Sequence, residues 1–532
     1  MIRIRNIKLA PGEPESALRA RAAAQLGTEP ENITALTIRK KSIDARKKAD
    51  VRLVYTVDVA VRRGEQRLLQ RAGNAEPAVY TDYIVPRPAV LPESRPVVVG
   101  FGPAGIFAGL VLAMAGLQPL ILERGGDVDE RTACVQRFFA GGPLDPACNV
   151  QFGEGGAGTF SDGKLNTGIS DGRTAFVLQQ FVEAGAPENV LYDAKPHVGT
   201  DILRDVVRHL REKILALGGE LRFHTQLTRL ELSGNTLTGL VTADGSRIPC
   251  RQLILATGHS ARDTLEALHA QGVPMEPKAF SMGVRIEHLQ QDISRAQYGR
   301  FAGLLPPADY KLNVRLPDGS SAYTFCMCPG GYVVAAASEP GHLCTNGMSY
   351  AGRSGENANA ALLVTLTPAM FPAPSPLGGM YWQREIERRA FLAGGENYDA
   401  PAQLAGDFLA GRRSTGPGKV LPTYRPGVRW GSLDDVLPPA LCSTLRGAIP
   451  ALGRKLQGFD DPEAVLTAAE TRSSSPVRIT RDAGCRSAIT GLYPCGEGAG
   501  YAGGIVSAAV DGMRCAEAAA GISGCVRRRQ TI

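Results

Sequence analysis

Residues 97–122 read VVVGFGPAGIFAGLVLAMAGLQPLIL, and this stretch limits the fold more tightly than any other. It is longer than the ~20 apolar residues needed to cross a bilayer, but its internal order gives a different reading. An apolar triplet leads into a glycine turn (GFGPAG), then a helix of small residues (IFAGLVLAMAG), then a second apolar run (LQPLILER). That succession is a β-α-β unit, apolar throughout because it forms the middle of a parallel sheet. Gly100, Gly102 and Gly105 stand at G-x-G-x-x-G spacing. The first makes the turn, the second lets a pyrophosphate approach the backbone, and the third lets helix and strand pack closely. Pro103 and Ala104 open the helix, whose N-terminus offers orphan N–H groups and a positive dipole to phosphate. Glu123, beside Arg124 at the end of the second strand, is placed to bind the ribose hydroxyls of an adenosine moiety.

The fingerprint alone does not choose between NAD and FAD, but the rest of the chain favours FAD. A second strand, glycine turn and small-residue helix recur far downstream in GLYPCGEGAGYAGGIVSAAVDGMRCAEAAA. An NAD-only enzyme has little use for that element, whereas flavoproteins use one to hold the ribitol and the pyrimidine edge of the flavin. Gly496 and Glu497 lie in this turn, with Glu497 as the ribitol or phosphate-side contact. The helix starting near Gly504 and Ile505 aims its N-terminus at the flavin carbonyl. A third loop, NVQFGEGGAGTFSDGKL, has five glycines and one lysine, so its backbone is able to lie flat along a ring system. Lys164 is then within reach of the flavin or of a substrate anion, or is simply solvated.

The 532 residues exceed what one core supports. Residues 1–90 read as a small basic α+β domain closed by the linker YIVPRPAVLPESRP, and residues 95–275 as the first part of an FAD-binding domain. Residues 276–470 form an inserted, mainly β substrate domain, and residues 471–525 complete the FAD domain. The fold class expected is α/β, with a discontinuous Rossmann-type FAD domain. The net charge of +7 is modest, yet RKKSIDARKK, residues 39–48, has six basic residues in ten. A solvated basic face is the plainer reading, with nucleic acid or a partner protein as the alternative occupant. Eleven cysteines without paired framework or zinc spacing, and an N-terminus without an apolar signal region, fit a cytoplasmic protein with no metal site and no membrane span.

Taken together, GFGPAG, the acid in ILER, NVQFGEGGAGTFSDGKL, PHVGTD, LILATGHSARDT, TFCMCPGG, ETRSSSPVRI and GLYPCGEGAGYAGGIVSAA resemble the bacterial uncharacterised FAD-dependent dehydrogenases. These are glutathione-reductase-like flavoproteins with two dinucleotide-binding domains, and the resemblance runs over residues 1–525. It implies non-covalent FAD and, by position, a flavin site that includes Gly156, Lys164 and Gly258 with the glycines and acids named above. It does not imply a substrate.

Such relatives place a cysteine pair on the helix after the first flavin turns. Here that loop has none, and thirteen residues separate Cys134 from Cys148. A second complete nucleotide fingerprint is also missing, so NAD(P)H is expected only as a transient reductant docking at the flavin face, past Ser260, Arg262 and Asp263. Arg472 is the expected clamp for a substrate carboxylate, and Tyr501 a further catalytic candidate beside the flavin helix. Arg285 and Glu287 suit an ion pair as well as a site, and His288 a satisfied surface histidine. The reaction expected is hydride transfer between flavin N5 and a small organic substrate. A flavin monooxygenase, or a flavoprotein docking RNA or a partner through its basic domain, are the alternatives. In TFCMCPGG, strand alternation puts Cys326 and Cys328 on one face opposite Phe325 and Met327, with Cα atoms roughly 6.6 Å apart, near the upper limit for a disulfide. Packing against the substrate cavity is the expected role for the pair, a reducible bridge the alternative.

Overall fold

Five short strands, apolar in their central members, pair side by side in one parallel sheet that anchors the molecule. In the computed structural model, which describes residues 1–165 and 168–530 (the last three by backbone only), the order across this sheet is Leu492–Pro494, Leu253–Leu255, Val97–Val99, Leu120–Leu122, Glu220–Arg222. All four pairings are parallel. Helices Pro103–Met114 and Ile505–Ala520 pack together along one face. The contact is close because Gly512 lies against the backbone of Ala104: a Cβ there would come within 2.1 Å of the Ala104 carbonyl oxygen. A three-stranded meander, Leu227–Ser233, Thr236–Thr242 and Arg247–Pro249, covers part of the other face. The apolar run 97–122 is thus strand, helix and strand, and among the described residues no helix is long and apolar enough to cross a membrane.

Residues 280–470 carry a second sheet of seven strands, in the order Asn313–Arg315, Ser321–Cys328, Asn357–Leu366, Phe280–Leu289, Val465–Glu470, Ala400–Leu404, Val428–Trp430. Its central strands are buried on both faces, so even Arg285, Glu287 and His288 lie inside. Each finds a separate partner. Arg285 grips Glu470 through two bonds of 3.0 and 2.9 Å, Glu287 accepts from Thr423 and Asn357, and His288 Nε2 meets the Phe459 carbonyl at 2.9 Å. His288 is therefore a buried histidine, not a surface one, because a helix and loops cover the face that strand alternation alone leaves open.

The N-terminal unit is a four-stranded sheet, Ile33–Asp44, Arg52–Val61, Ile2–Leu9, Ala75–Pro77, with helices Ala17–Leu26 and Glu65–Arg71 over an aliphatic core. It joins the parallel-sheet domain through backbone: Lys41 N–H donates to the Tyr192 carbonyl and Ala194 N–H to the Lys41 carbonyl, both at 2.8 Å. Within the basic segment Arg39 binds Asp58, Lys41 binds Glu15 and Arg46 binds Asp44, while Lys40, Lys47 and Lys48 are exposed.

Candidate cofactor and active site

The parallel strands end on glycine turns, and those turns wall a cavity of about 410 Å3 that runs on to the β-rich domain. Gly100 holds φ +99 with no room for a Cβ, which would lie 2.3 Å from the Ala256 carbonyl oxygen. Gly105 does not reach the cavity. It packs against the turn itself, where a Cβ would come within 1.8 Å of the Gly100 carbonyl oxygen. Gly102, Pro103, Ala104, Gly504 and Ile505 all line the cavity at the starts of their two helices. Neither helix has a side-chain cap, so first-turn N–H groups face the cavity. Gly258 and Gly503 line it too, and a Cβ on either would project into open space, as expected where a ligand lies against bare backbone. Gly156 faces Gly102 across the entrance to the turn. Gly496 lies behind the wall and donates its N–H to Asp511 at 2.7 Å.

Glu123 is buried at the end of its strand and lines the same space. Its carboxylate accepts N–H bonds from Phe101 at 2.8 Å and from Gly125 and Gly153 at 3.0 Å, tying three loops to one point. Arg124 lines the cavity with its guanidinium stacked on Phe152 at 4.2 Å and bonded to Asp263. The third glycine loop is held by a residue that sequence reasoning passed over. Arg131, fully buried, donates to the carbonyls of Asn149 at 2.8 Å, Val150 at 2.9 Å and Glu154 at 2.6 Å, with a longer bond to Gly153. Burial lowers its pKa to about 10, still well above neutrality. No motif marks it, because its four acceptors are backbone atoms of another segment.

These features fit FAD on the structure's own terms: one uncapped helix N-terminus for phosphate and a second for the flavin carbonyl, a buried acid at the ribose position, and flat glycine backbone along the remaining length. At the far end the wall changes from backbone to side chains. Lys164 Nζ donates to Asp162 at 2.8 Å and to the Met327 carbonyl. That occupies two of its three donors and leaves one for the cavity. Asp162, flanked by Lys164 and Arg353, stays ionised well below the usual carboxylate range despite its burial. Glu497 lines the cavity, where burial pushes its pKa up to about 7 against the charge of Lys278. His259 sits beside it, with Nδ1 3.6 Å from Glu497, and is held neutral, its pKa lowered to about 3 by burial and by the charges of Arg472 and Arg262. His259 directly follows Gly258 in the ATGHS turn, so its place was readable from the sequence.

Two expected catalytic residues have other duties. Arg472 borders the cavity, but its guanidinium bonds Glu387 at 2.9 and 2.7 Å and Ser338 at 2.5 Å, leaving no free fork for a substrate carboxylate. Glu387 also takes Arg262 at 2.7 and 2.8 Å, so Arg262 is buried in the same cluster and lines no approach for a reductant. Ser260 does line the cavity, its hydroxyl donating to Gln151 at 2.9 Å, while Asp263 is the partner of Arg124. Tyr501 is not among the cavity-lining residues. Its ring lies under Arg481 at 3.7 Å and its hydroxyl accepts the Arg481 backbone N–H.

The CxC strand also departs from simple alternation. Between Phe325 and Cys328 three residue steps oppose two from Ala361 to Asn359, a β-bulge, and Cys326 takes φ +42. Phe325 and Cys326 both come to line the cavity.

Fold and site together define a Rossmann-type FAD domain carrying a β-rich domain. Residues 279–473, the β-rich domain, match the family described as "FAD-dependent protein, C-terminal domain-like", and residues 1–60 match a domain of unknown function, DUF8436. The chain belongs to the same family as an uncharacterized protein of Clostridium beijerinckii, with which it is 47% identical over 527 residues, 97% of this chain and 98% of that protein. Among solved structures, the flavin-dependent brominase Bmp2 is 14% identical over 80% of this chain and 79% of its own, at a TM-score of 0.37. Glycine oxidase from Bacillus cereus is 13% identical over 81% of this chain and 95% of its own, at 0.31. The fold assignment rests on the parallel sheet and its turns.

Proposed function

We propose that the protein is an FAD-dependent oxidoreductase that holds its cofactor non-covalently and moves hydride between the flavin and a small organic substrate. The observation that carries this reading is the continuity of one cavity from the G-x-G-x-x-G turn to the side chains of the β-rich domain. Bound FAD supplies hydride chemistry at its N5 atom. The chain's own residues supply binding and orientation: the N–H groups at Gly102–Ala104 and Gly504–Ile505 take the anionic parts, Glu123 takes the ribose, and Arg131 fixes the loop that covers them.

Substrate selection falls to the far end. Lys311 lies at the rim, exposed and with no acidic partner among the described residues, while neighbouring Lys195 is paired with Asp309. Lys311 and the remaining donor of Lys164 therefore suit an anionic substrate, such as a carboxylate, better than Arg472 does. Glu497, with a pKa near neutrality, is able to hold or release a proton at that end. NAD(P)H is the proposed transient reductant. The test is an anaerobic stopped-flow screen of the purified protein, recording which donor bleaches the flavin and which acceptor restores it. The expected result is bleaching by NAD(P)H or by an anionic organic donor. A protein that neither purifies with FAD nor rebinds it would overturn the reading.

A further inference from the structure

The β-rich domain contributes the run Thr324–Met327 to the cavity wall, and Cys326 is part of it. The left-handed turn at Cys326 breaks the extended spacing that sets residues two apart near the limit for a bridge. Cys328, buried directly behind, donates from Sγ to the Cys326 carbonyl at 3.3 Å. Two cations grip the backbone of this bulge. Arg285 donates to the Cys326 carbonyl at 3.0 Å, and Lys164 donates to the Met327 carbonyl. Facing acids are fewer in effect: Asp162 is bound by Lys164 and Arg353, Glu470 is bound by Arg285, and Glu497 lies across the cavity.

A thiol in this setting behaves unlike the chain's other buried cysteines. The neighbouring Cys328 thiol, with the charges of Lys164 and Arg285, brings the partly buried Cys326 thiol down to about 5. Burial, with the charge of Glu231, pushes Cys250 up to about 12, and burial with Asp434 beside it does the same to Cys442. A cysteine beside cations and a hydrogen-bond donor is the reactive kind.

We propose that Cys326 and Cys328 are a dithiol–disulfide couple built into the wall of the FAD cavity, exchanging an electron pair with the cofactor. The couple rests on the FAD reading above. Oxidation breaks two S–H bonds, forms one S–S bond and releases two electrons and two protons, which are taken up by an oxidised flavin. The reverse step opens the bridge at the expense of a reduced flavin. Cys326 is the thiol at the cavity, and Cys328 is the resolving thiol held behind it.

The test is an anaerobic dithionite titration of the FAD-loaded full chain, followed by peptide mapping with alkylation of free thiols before and after reduction. The expected result is twice the reducing equivalents per flavin that a simple flavoprotein consumes, with a Cys326–Cys328 disulfide peptide in the oxidised protein only. Cys326→Ser, and separately Cys328→Ser, should each return the uptake to that of the flavin alone. Full alkylation of both cysteines in the oxidised holoprotein, or unchanged electron uptake in both variants, would overturn the couple while leaving the flavin reading intact. Should the chain hold no FAD, the same map after diamide treatment reads whether the pair closes: an intramolecular bridge supports the thiol geometry without the flavin, and its absence overturns it. If one serine variant fails to fold, Cys326→Ala, which removes only the cavity-side thiol, replaces it in the titration.

Discussion

The two ends of the cavity are built from different materials. At the nucleotide end the contacts are backbone, delivered by glycines and helix starts, and side chains such as Glu123 and Arg131 act mainly by holding that backbone in place. At the substrate end the wall is side chains, and most of their charges already answer each other: Arg472 and Arg262 with Glu387, Arg285 with Glu470, Asp162 with Lys164 and Arg353. The difference teaches that a cofactor is gripped by shape and dipoles, whereas a substrate end keeps few charges uncommitted. Those few identify the site.

The sharpest way to break this comparison is at the nucleotide end. Arg131→Leu leaves four buried carbonyls without their charged donor, and the expected loss is about 5 kcal/mol or more, together with loss of bound flavin. A urea midpoint and the flavin absorbance of the purified variant measure both. At the substrate end, Glu387→Gln strands two buried guanidinium groups and should destabilise by about 3–5 kcal/mol. If Arg472 were instead a free substrate clamp, the same variant would shift KM with little change in the urea midpoint. Glu123→Gln removes one acceptor face from a carboxylate serving three N–H groups, and FAD affinity should fall by the equivalent of about 1–3 kcal/mol in a flavin-binding titration.

A smaller effect comes with pH. Glu497 ionises at about 7 in the folded chain, against 4.5 ordinarily, so between these values the folded form retains a proton that the unfolded form has released. Its contribution to stability is therefore complete below 4.5 and is lost as pH rises through about 7. In the FAD-free protein, denaturation across that window should show a falling slope that Glu497→Gln flattens. Least of all is expected from the N-terminal domain. Replacing the exposed Lys40, Lys47 and Lys48 by Gln should change stability by no more than about 0.5 kcal/mol and leave flavin content unaltered. Salt-dependent RNA binding lost in that variant would favour the nucleic-acid alternative instead.

Legibility in the sequence follows the same division. Gly100, Gly102 and Glu123 were readable because their tasks are local, fixed by a turn and a strand next to each other in the chain. Arg131 was not, because an arginine on an amphipathic helix looks like surface until the loop at 149–154 folds back over it. Arg472 was readable as important but not as to its role, since Glu387 lies 85 residues away on the helix Gly378–Gly394. The CxC pair was visible, yet strand alternation could not foresee a bulge, which exists only opposite its partner strand Asn357–Leu366.

The strand Leu492–Pro494 closes one edge of the parallel sheet, and Glu497, Gly504 and Ile505 follow it into the cavity wall. During synthesis, then, the ribosome delivers the fingerprint turn long before the residues that complete its binding site. The N-terminal sheet and the seven-stranded sheet can each form while the flank of Leu253–Leu255 is still bare, an unpaired edge of the sort that invites misassembly. One late segment therefore does two jobs: the strand that pairs the bare edge also brings in the residues that finish the cavity wall.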